Sequence, residues 1–237
     1  MNGIIQDLRY AFRGLAKTPG FSVVAILTLA LGIGANTAMF TLVDQVLLRL
    51  LPVRNAHELV LVTFRGTGNG GFWGDGSELS YPMYADLRDH NQVFTGMFAR
   101  FNAQLYASYG DRTERVTAEF VSGTYFPVLG VGSTLGRTIL PSDDGVGEEH
   151  AVVVLSHRYW LSRLGADPTV VGKTIMVNGR ALAIVGVAKE GFDGTNLGNA
   201  TQLFVPISLT SLTSVGNASD RPLLEDRRAQ WLNVFGR

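Results

Sequence analysis

The 237-residue chain contains no cysteine. Disulfide bonds, thiolate metal sites, a cysteine nucleophile and lipid attachment through cysteine are therefore all excluded. Charged residues are also scarce, at 17% of the sequence against about 25% in ordinary soluble domains. The 20 basic and 20 acidic side chains cancel, so no basic surface indicates a nucleic-acid partner. Because the mean hydropathy is nevertheless positive, one part of the chain must be unusually apolar.

That apolar part runs from Phe21 to Val43 without a charged residue. A helix over this run, at ~1.5 Å per residue, is long enough to cross a hydrocarbon core about 30 Å thick. A cleaved signal peptide is one alternative, since Ala35 and Ala38 would permit cleavage, but its apolar core would be shorter. A buried helix of a soluble domain is another alternative. The length favours a retained transmembrane helix, which we predict over residues 20–47.

The charges that flank the apolar run predict its orientation. Three basic side chains precede it, with a single acidic one: Arg9, Arg13 and Lys17, and Asp7. The positive-inside rule then places the N-terminus in the cytoplasm and residues 52–237 outside, which is the periplasm in a Gram-negative bacterium. Residues 1–19 have apolar side chains at helical spacing, which predicts an amphipathic helix on the inner membrane face, in contact with lipid. An ordinary packed helix is the alternative.

Within the predicted span, Ala30, Gly34 and Ala38 are spaced four residues apart and therefore share one helix face. Small side chains on one face let a second membrane helix approach closely, so these three are candidate helix-packing positions. Small residues are also common in membrane helices without such a contact. A helix that only anchors the domain in the membrane would not need small side chains along one face.

The sequence after Pro52 predicts a mixed α+β region, with strands too short and interrupted for a doubly wound sheet. The dipeptide Asn178-Gly179 favours a type I′ turn between two strands. The pattern predicts strands over 59–64, 115–121, 151–155, 174–177, 180–187, 203–206 and 231–235, and helices over 81–90, 123–129 and 157–164.

A glycine-rich loop from Gly66 to Gly76 carries two large aromatic side chains, Phe72 and Trp73. Aromatic residues in such a loop favour burial in the domain core. Contact with a partner protein is the alternative, so Phe72 and Trp73 are also candidate partner-contact residues.

The triplet Gly172-Lys173-Thr174 matches the last three positions of a nucleotide-binding P-loop. A P-loop also needs a glycine five positions before the second glycine, and a helix after the lysine. Asp167 occupies the first glycine position and would place a carboxylate against phosphate oxygens. A β-hairpin is predicted where the helix should follow. We therefore predict no ATP site here, with Gly172 as a turn residue and Lys173 as an exposed flank.

The remaining polar motifs do not form a recognisable catalytic or metal site. The acidic segment from Asp143 to His150 lacks the ligand spacing of an EF-hand loop, so a solvated acidic loop is the expectation. The adjacent Ser156 and His157 do not make a catalytic pair by being neighbours. We name no catalytic, cofactor-binding or metal-binding residue, predict no cofactor and expect that the chain is not an enzyme.

Residues 7–53 combine the N-terminal amphipathic segment with the apolar run. Further along the chain are the ordered stretches VFTGMFA (Val93 to Ala99), GTYFPVLGV (Gly123 to Val131), LGR (Leu135 to Arg137), residues 152–179 and IVGVAKEGFDG (Ile184 to Gly194). Together these stretches resemble MacB-like ABC transporter permeases, in particular the subgroup called acidobacterial duplicated orphan permeases. Residues 7–53 are similar to the N-terminal helix and first membrane span of that family, and the later stretches are similar to its periplasmic core domain.

The resemblance implies an α+β fold in residues 52–237, with a porter-like lobe and a smaller lobe inserted at roughly 130–210. It implies an efflux or mechanotransmission transporter in the inner membrane, driven by a separate cytoplasmic ABC ATPase. A permease dimer and a periplasmic adaptor are the further partners it implies. Family members continue into three more membrane helices, so we expect the periplasmic domain here to be C-terminally incomplete and the chain to be truncated. The alternative is a membrane-anchored periplasmic binding or adaptor module with no transport role of its own.

Overall fold

The computed structural model of the protein describes residues 17–43, 52–63, 76–145, 150–196, 198–212 and 222–237. It divides into two units, Met1–Arg49 and Leu50–Arg237. Most of the amphipathic helix predicted over residues 1–19 lies outside the described residues, as do Phe72 and Trp73.

The first unit contributes one long helix, α1 (Pro19–Val43). Pro19 occupies the first helical turn, where its missing N–H costs nothing, and Thr18 before it is not helical. The helix predicted over residues 20–47 therefore begins at Pro19. The stretch Pro19–Thr41 is long and apolar enough to span a membrane.

Three threonine hydroxyls within α1 donate hydrogen bonds to the carbonyl oxygens four residues earlier, each at 2.8 Å; they belong to Thr28, Thr37 and Thr41. A polar group in hydrocarbon needs such an internal partner. The helix can therefore carry these hydroxyls through a bilayer.

The second unit contains ten strands and three short α-helices among its described residues. The strands are β1 (Val60–Leu61), β2 (Glu78–Leu79), β3 (Met97–Tyr109), β4 (Arg112–Val121), β5 (Ser133–Gly136), β6 (Val152–Leu155), β7 (Thr174–Val177), β8 (Arg180–Ala188), β9 (Leu203–Pro206) and β10 (Leu232–Gly236), and the helices are α2 (Tyr81–Asp89), α3 (Tyr125–Leu129) and α4 (His157–Arg163). The mixed α+β class predicted from the sequence is confirmed.

Local signals explain why several of these elements begin or turn where they do. Ser80 and Ser156 cap α2 and α4, because their side-chain oxygens accept hydrogen bonds from the backbone N–H three residues on. Asn178 and Gly179 both have positive φ, at 46° and 83°, as a type I′ turn requires. The predicted β7–β8 hairpin is confirmed.

Six strands close into a ring in the order β3-β4-β9-β6-β8-β7, and β7 then pairs with β3 again. The β4–β9 and β6–β8 pairs are parallel, whereas the others are antiparallel. Ala107 and Ser108 near the end of β3 pair with β7, whereas Met97 to Arg100 at its start pair with β10. The sheet therefore extends beyond the ring to β10, β1 and β2.

Two apolar cores lie on the two faces of this sheet. Alternate side chains of the ring strands point into the first core, among them Leu105, Val116, Ile175 and Leu203, all at most 1% exposed. The second core is built around α3 and contains Tyr125, Phe126, Phe98 and Phe204. Since both faces of β3 are covered at its N-terminal half, that half does not alternate between apolar and polar residues.

This double burial explains why the sequence pattern missed β3, the longest strand of the domain. The strands β2 and β5 are missed as well, because they have only 2 and 4 residues, too few for a periodic pattern. The division of residues 52–237 into a porter-like lobe and an inserted lobe stays a prediction.

Candidate functional site

The three predicted helix-packing residues, Ala30, Gly34 and Ala38, all lie on α1 and are exposed. Apart from its chain neighbours and the backbone of α1 itself, no atom of the described residues would lie within 4 Å of a Cβ placed on Gly34. This face of the helix is therefore open to an approaching helix over its small side chains.

The domain segment nearest to α1 in the sequence, Pro52–Leu61, lies against the last strand, β10. We call the segment Pro52–Leu61 together with Leu232–Arg237 the junction. Within it β1 and β10 are antiparallel, with Val60 opposite Gly236. The N–H of Val62 continues this pairing by donating to the carbonyl oxygen of Val234 at 2.8 Å.

Arg237 fastens the junction with its side chain and its backbone. Its guanidinium donates to the carbonyl oxygen of Arg54 and lies 3.6 Å from the carboxylate of Glu58. Its backbone carbonyl accepts from Thr95 N–H at 2.6 Å, and its own N–H donates to Gly96 at 2.9 Å. The side chain of Arg237 is only 10% exposed, so these contacts hold it inside the domain.

An aromatic stack leads from the junction into the second core. The ring of Phe235 stacks on Phe98 with centroids 5.1 Å apart, and Phe98 meets Tyr125 edge-on at the same distance. Tyr125 in turn packs against Phe204 on β9. Because rings in a close-packed core cannot shift singly, a displacement of β10 must move its neighbours too.

A buried carboxylate forms a second connection from β10. The guanidinium of Arg100 lies 5.6 Å from the ring centroid of Phe235, and its Nε is 3.7 Å from Oε1 of Glu119. Glu119 is 0% exposed and accepts hydrogen bonds from the hydroxyls of Thr195 and Thr201, at 2.7 and 3.0 Å. We call these four residues, Arg100, Glu119, Thr195 and Thr201, the Glu119 cluster.

The Glu119 cluster joins the sheet to the turn before β9. Tyr125 borders it and donates its hydroxyl to Thr195 Oγ1 at 3.5 Å. Burial, reinforced by the charge of Glu119, raises the pKa of Tyr125 well above its ordinary value, so the phenol stays protonated as a donor.

The P-loop-like triplet has the conformation predicted for a turn and not for a phosphate site. Gly172 has φ of 87° and Lys173 directly precedes β7. The ammonium group of Lys173 donates to Asp167 at 2.7 Å. This hydrogen bond and those from Thr169 lower the pKa of Asp167 to about 2. The lysine is thus engaged by the carboxylate that stands in the first glycine position.

The acidic segment after Ile139 differs from the expectation of a solvated loop. Asp143 is 6% exposed and forms two hydrogen bonds with Arg137, at 2.5 and 2.8 Å. Asp144 accepts backbone N–H bonds from Gly123 and Ser208, at 3.1 and 3.3 Å. The expectation is wrong for these two residues because their carboxylates fasten neighbouring segments together. Glu148 and Glu149 lie outside the described residues.

The pKa values of these two carboxyls move in opposite directions. Burial raises the pKa of Asp144, and its backbone donors only partly offset that effect. Burial would also raise the pKa of Asp143, but the hydrogen bonds from Arg137 and from the Leu140 N–H outweigh it and lower the value.

Among the described residues, no group of three or more His, Asp or Glu side chains could hold a metal ion. Ser156 has its hydroxyl at the N-terminus of α4, where it accepts from the N–H of Tyr159. The functional groups that sequence reasoning missed are Arg100, Glu119 and Arg237. The available signal was Glu119 itself, an acidic residue within the otherwise apolar stretch from Ala118 to Val121.

The fold defines the class: a mixed α+β domain that follows a helix long and apolar enough to span a membrane. The profile of the family described as the MacB-like periplasmic core domain matches residues 22–232. The chain belongs to this family, and the resemblance read from the sequence is confirmed. A comparison with curated proteins found no significant match.

Two solved structures share the fold. The extracellular domain of the noncanonic ABC-type transporter YknZ from Gram-positive bacteria is 15% identical, with a TM-score of 0.53 over 76% of this chain and 82% of that one. The periplasmic region of MacB from Actinobacillus actinomycetemcomitans is 18% identical, with a TM-score of 0.51 over 71% of each chain. The first of these is described as a domain of an ABC-type transporter, and at these identities both structures show likeness of fold alone.

Proposed function

We propose that this chain is a permease subunit that couples ATP hydrolysis by a separate cytoplasmic ABC ATPase to motion of its periplasmic domain, in efflux or mechanotransmission. The observation that carries the proposal is the junction. The segment that follows α1 in sequence is hydrogen bonded to β10, and β10 pairs with β3, which in turn pairs with β4 and β7. A displacement that arrives along the chain from α1 would therefore act on the whole sheet.

Two features of the junction support this role. The contacts of Arg237 fasten the segment that carries Arg54 and Glu58 to β10. The aromatic stack and the Glu119 cluster connect β10 to β9 and to the turn before it. Packed elements of this kind pass on displacement because close-packed interiors deform little.

The proposed location is the bacterial inner membrane, with the N-terminus in the cytoplasm and residues 52–237 in the periplasm. Because the chain lacks cysteine, single cysteines can report the location without background labelling. In intact cells a membrane-impermeant maleimide should label Ser142→Cys, which is exposed in the domain. Lys17→Cys should be labelled only after the membrane is opened. The reverse pattern would overturn the orientation.

Association with an ATPase is tested by affinity purification of the full chain from its native membrane in mild detergent. An ABC-type ATPase should copurify, together with a second copy of the permease and, in an efflux assembly, a periplasmic adaptor. Phe72 and Trp73 are proposed as partner contacts, so Trp73→Ala should reduce adaptor recovery and not ATPase recovery. Absence of any ATPase from the purified material would contradict the proposal.

The helix-packing role of Ala30, Gly34 and Ala38 has a matched control in the same helix. Gly34→Leu should reduce copurification of the second permease copy, because the larger side chain holds a neighbouring helix away. Gly32→Leu makes the same chemical change on a different face of α1. A Cβ at Gly32 would likewise contact nothing within 4 Å among the described residues beyond α1's own backbone and the neighbouring residues. Equal effects of the two variants would remove the argument for a specific face.

A further inference from the structure

A polar cleft lies at the end of β3 opposite the junction. It has a volume of about 380 Å³, and its lining includes the side chains of the β3–β4 turn and of α4. We call it the hairpin cleft. The 13 residues of β3 separate it from Met97, near the junction, by roughly 40 Å at the usual rise of a strand. Its volume falls within the ~300–1,000 Å³ range of small-molecule sites.

One carboxylate is held rigidly at the base of the hairpin cleft. Oε1 of Glu114 accepts the hydroxyl hydrogen of Tyr159 at 3.1 Å, and Oε2 lies 3.1 Å from Nε of Arg163. Tyr159 is 3% exposed, and its burial, together with the charge of Glu114, raises the pKa of its hydroxyl. The buried Tyr159 and the ion pair with Arg163 thus orient the Glu114 carboxylate before any ligand arrives, which lowers the entropic cost of binding.

Two further charged groups line the cleft and remain available. Arg112 and Asp111 are exposed, and neither has a hydrogen bond or ion pair with another side chain in the part of the chain that the structure describes. The two guanidinium groups of the lining, on Arg112 and Arg163, balance the two carboxylates, on Asp111 and Glu114. The formal charge of the lining is therefore zero.

This lining favours a neutral ligand with hydroxyl groups. A guanidinium group only donates hydrogen bonds and a carboxylate only accepts them, whereas a hydroxyl does both. A ligand rich in hydroxyls can therefore satisfy donors and acceptors that alternate around one cleft. An anion or a cation would meet a like charge in the same lining, at a cost set by distance and solvent. The half-buried ring of Tyr109 and the side chain of Leu164 add apolar surface for the C–H groups of a sugar ring.

We propose that the hairpin cleft is a binding site for a neutral saccharide. The proposal is independent of the transport role, because it rests on the cleft alone and is tested without an ATPase.

The test is ligand-observed saturation-transfer NMR on the full chain in a detergent without a sugar headgroup. Triacetylchitotriose and maltotriose are the neutral probes, trigalacturonate the anionic probe and spermidine the cationic probe. At least one neutral trisaccharide should show saturation transfer. Arg112→Ala and Asp111→Ala should each raise its Kd at least tenfold, since each removes a hydrogen-bonding group from the lining.

Arg115→Ala is the matched control. Arg115 is an exposed arginine on the same strand and pairs with Tyr106 of β3. Because Arg115 lies three positions after Arg112, its side chain points to the opposite face of β4. The Arg115→Ala variant should bind the neutral trisaccharide with the same Kd as the unmodified chain. Failure of both neutral probes, tighter binding of trigalacturonate or spermidine, or unchanged affinity in both cleft variants would each overturn the proposal.

Discussion

Removing the charge of Glu119 should destabilise the domain strongly, although the change is one of the smallest possible in size. Glu119→Gln keeps the shape of the side chain and leaves Arg100 without its counter-charge in a site where Glu119 is 0% and Arg100 13% exposed. Breaking a buried ion pair by changing one partner costs about 3–5 kcal/mol. Because the glutamine oxygen still accepts one threonine hydrogen bond, we expect the lower end, near 3 kcal/mol.

The assay is denaturant unfolding of the full chain, followed by the fluorescence of the buried residues Trp160 and Trp231. In a thermal experiment on a domain of this size, the loss corresponds to a decrease in Tm of roughly 6–12 °C. Glu114→Gln is the matched control on the same strand. Its ion pair with Arg163 has side chains 28% and 56% exposed, so its loss should cost at most about 1 kcal/mol.

The reasoning fails if Glu119→Gln lowers the free energy of unfolding by no more than Glu114→Gln does. A further comparison isolates the ion pair from the threonine contacts. Adding Glu119→Gln to Arg100→Met should destabilise by less than Glu119→Gln does alone, because the charge that it leaves unpaired is already absent.

Three further predictions concern the segments around this site and the P-loop-like triplet. Gly194→Ala should lower the Tm by several degrees, and Gly198→Ala should lower it by less. Both glycines have positive φ, but only at Gly194 would a Cβ lie 2.4 Å from Oε2 of Glu119. Equal decreases in Tm would contradict this prediction. NMR of the Asp167 carboxyl carbon should give a pKa of about 2. The stabilisation from this carboxylate is then complete above the ordinary carboxyl pKa and is lost as the pH falls through 2. In Lys173→Ala the pKa of Asp167 should rise, and an unchanged pKa would refute the ion pair. Lys173→Ala should leave nucleotide binding by the assembled complex unchanged, and a measurable loss would restore the P-loop interpretation.

The sequence by itself determined the elements whose causes are local. Helix α1 follows from an uncharged run of membrane length after Pro19, and the β7–β8 turn from Asn178-Gly179. The caps of α2 and α4 follow from a serine placed before the first turn. In each case the residues that decide the structure lie within a few positions of one another, so their pattern can be read directly. The resemblance that identified the family also rests on such short ordered stretches.

Only the tertiary structure decided which strands close the ring and which charges are buried. The carboxylate of Glu119 meets its hydroxyl partners at separations of 76 and 82 positions along the chain, and Arg237 meets Arg54 across 183. Asp143 was expected in a solvated loop and is instead buried and paired with the partly exposed Arg137. Burial of a charge depends on what packs around it, and residues distant in sequence supply that packing. The linear pattern therefore predicted that a membrane helix precedes an α+β domain, whereas the contacts that join β10 to the rest of the sheet exist only once the chain has folded.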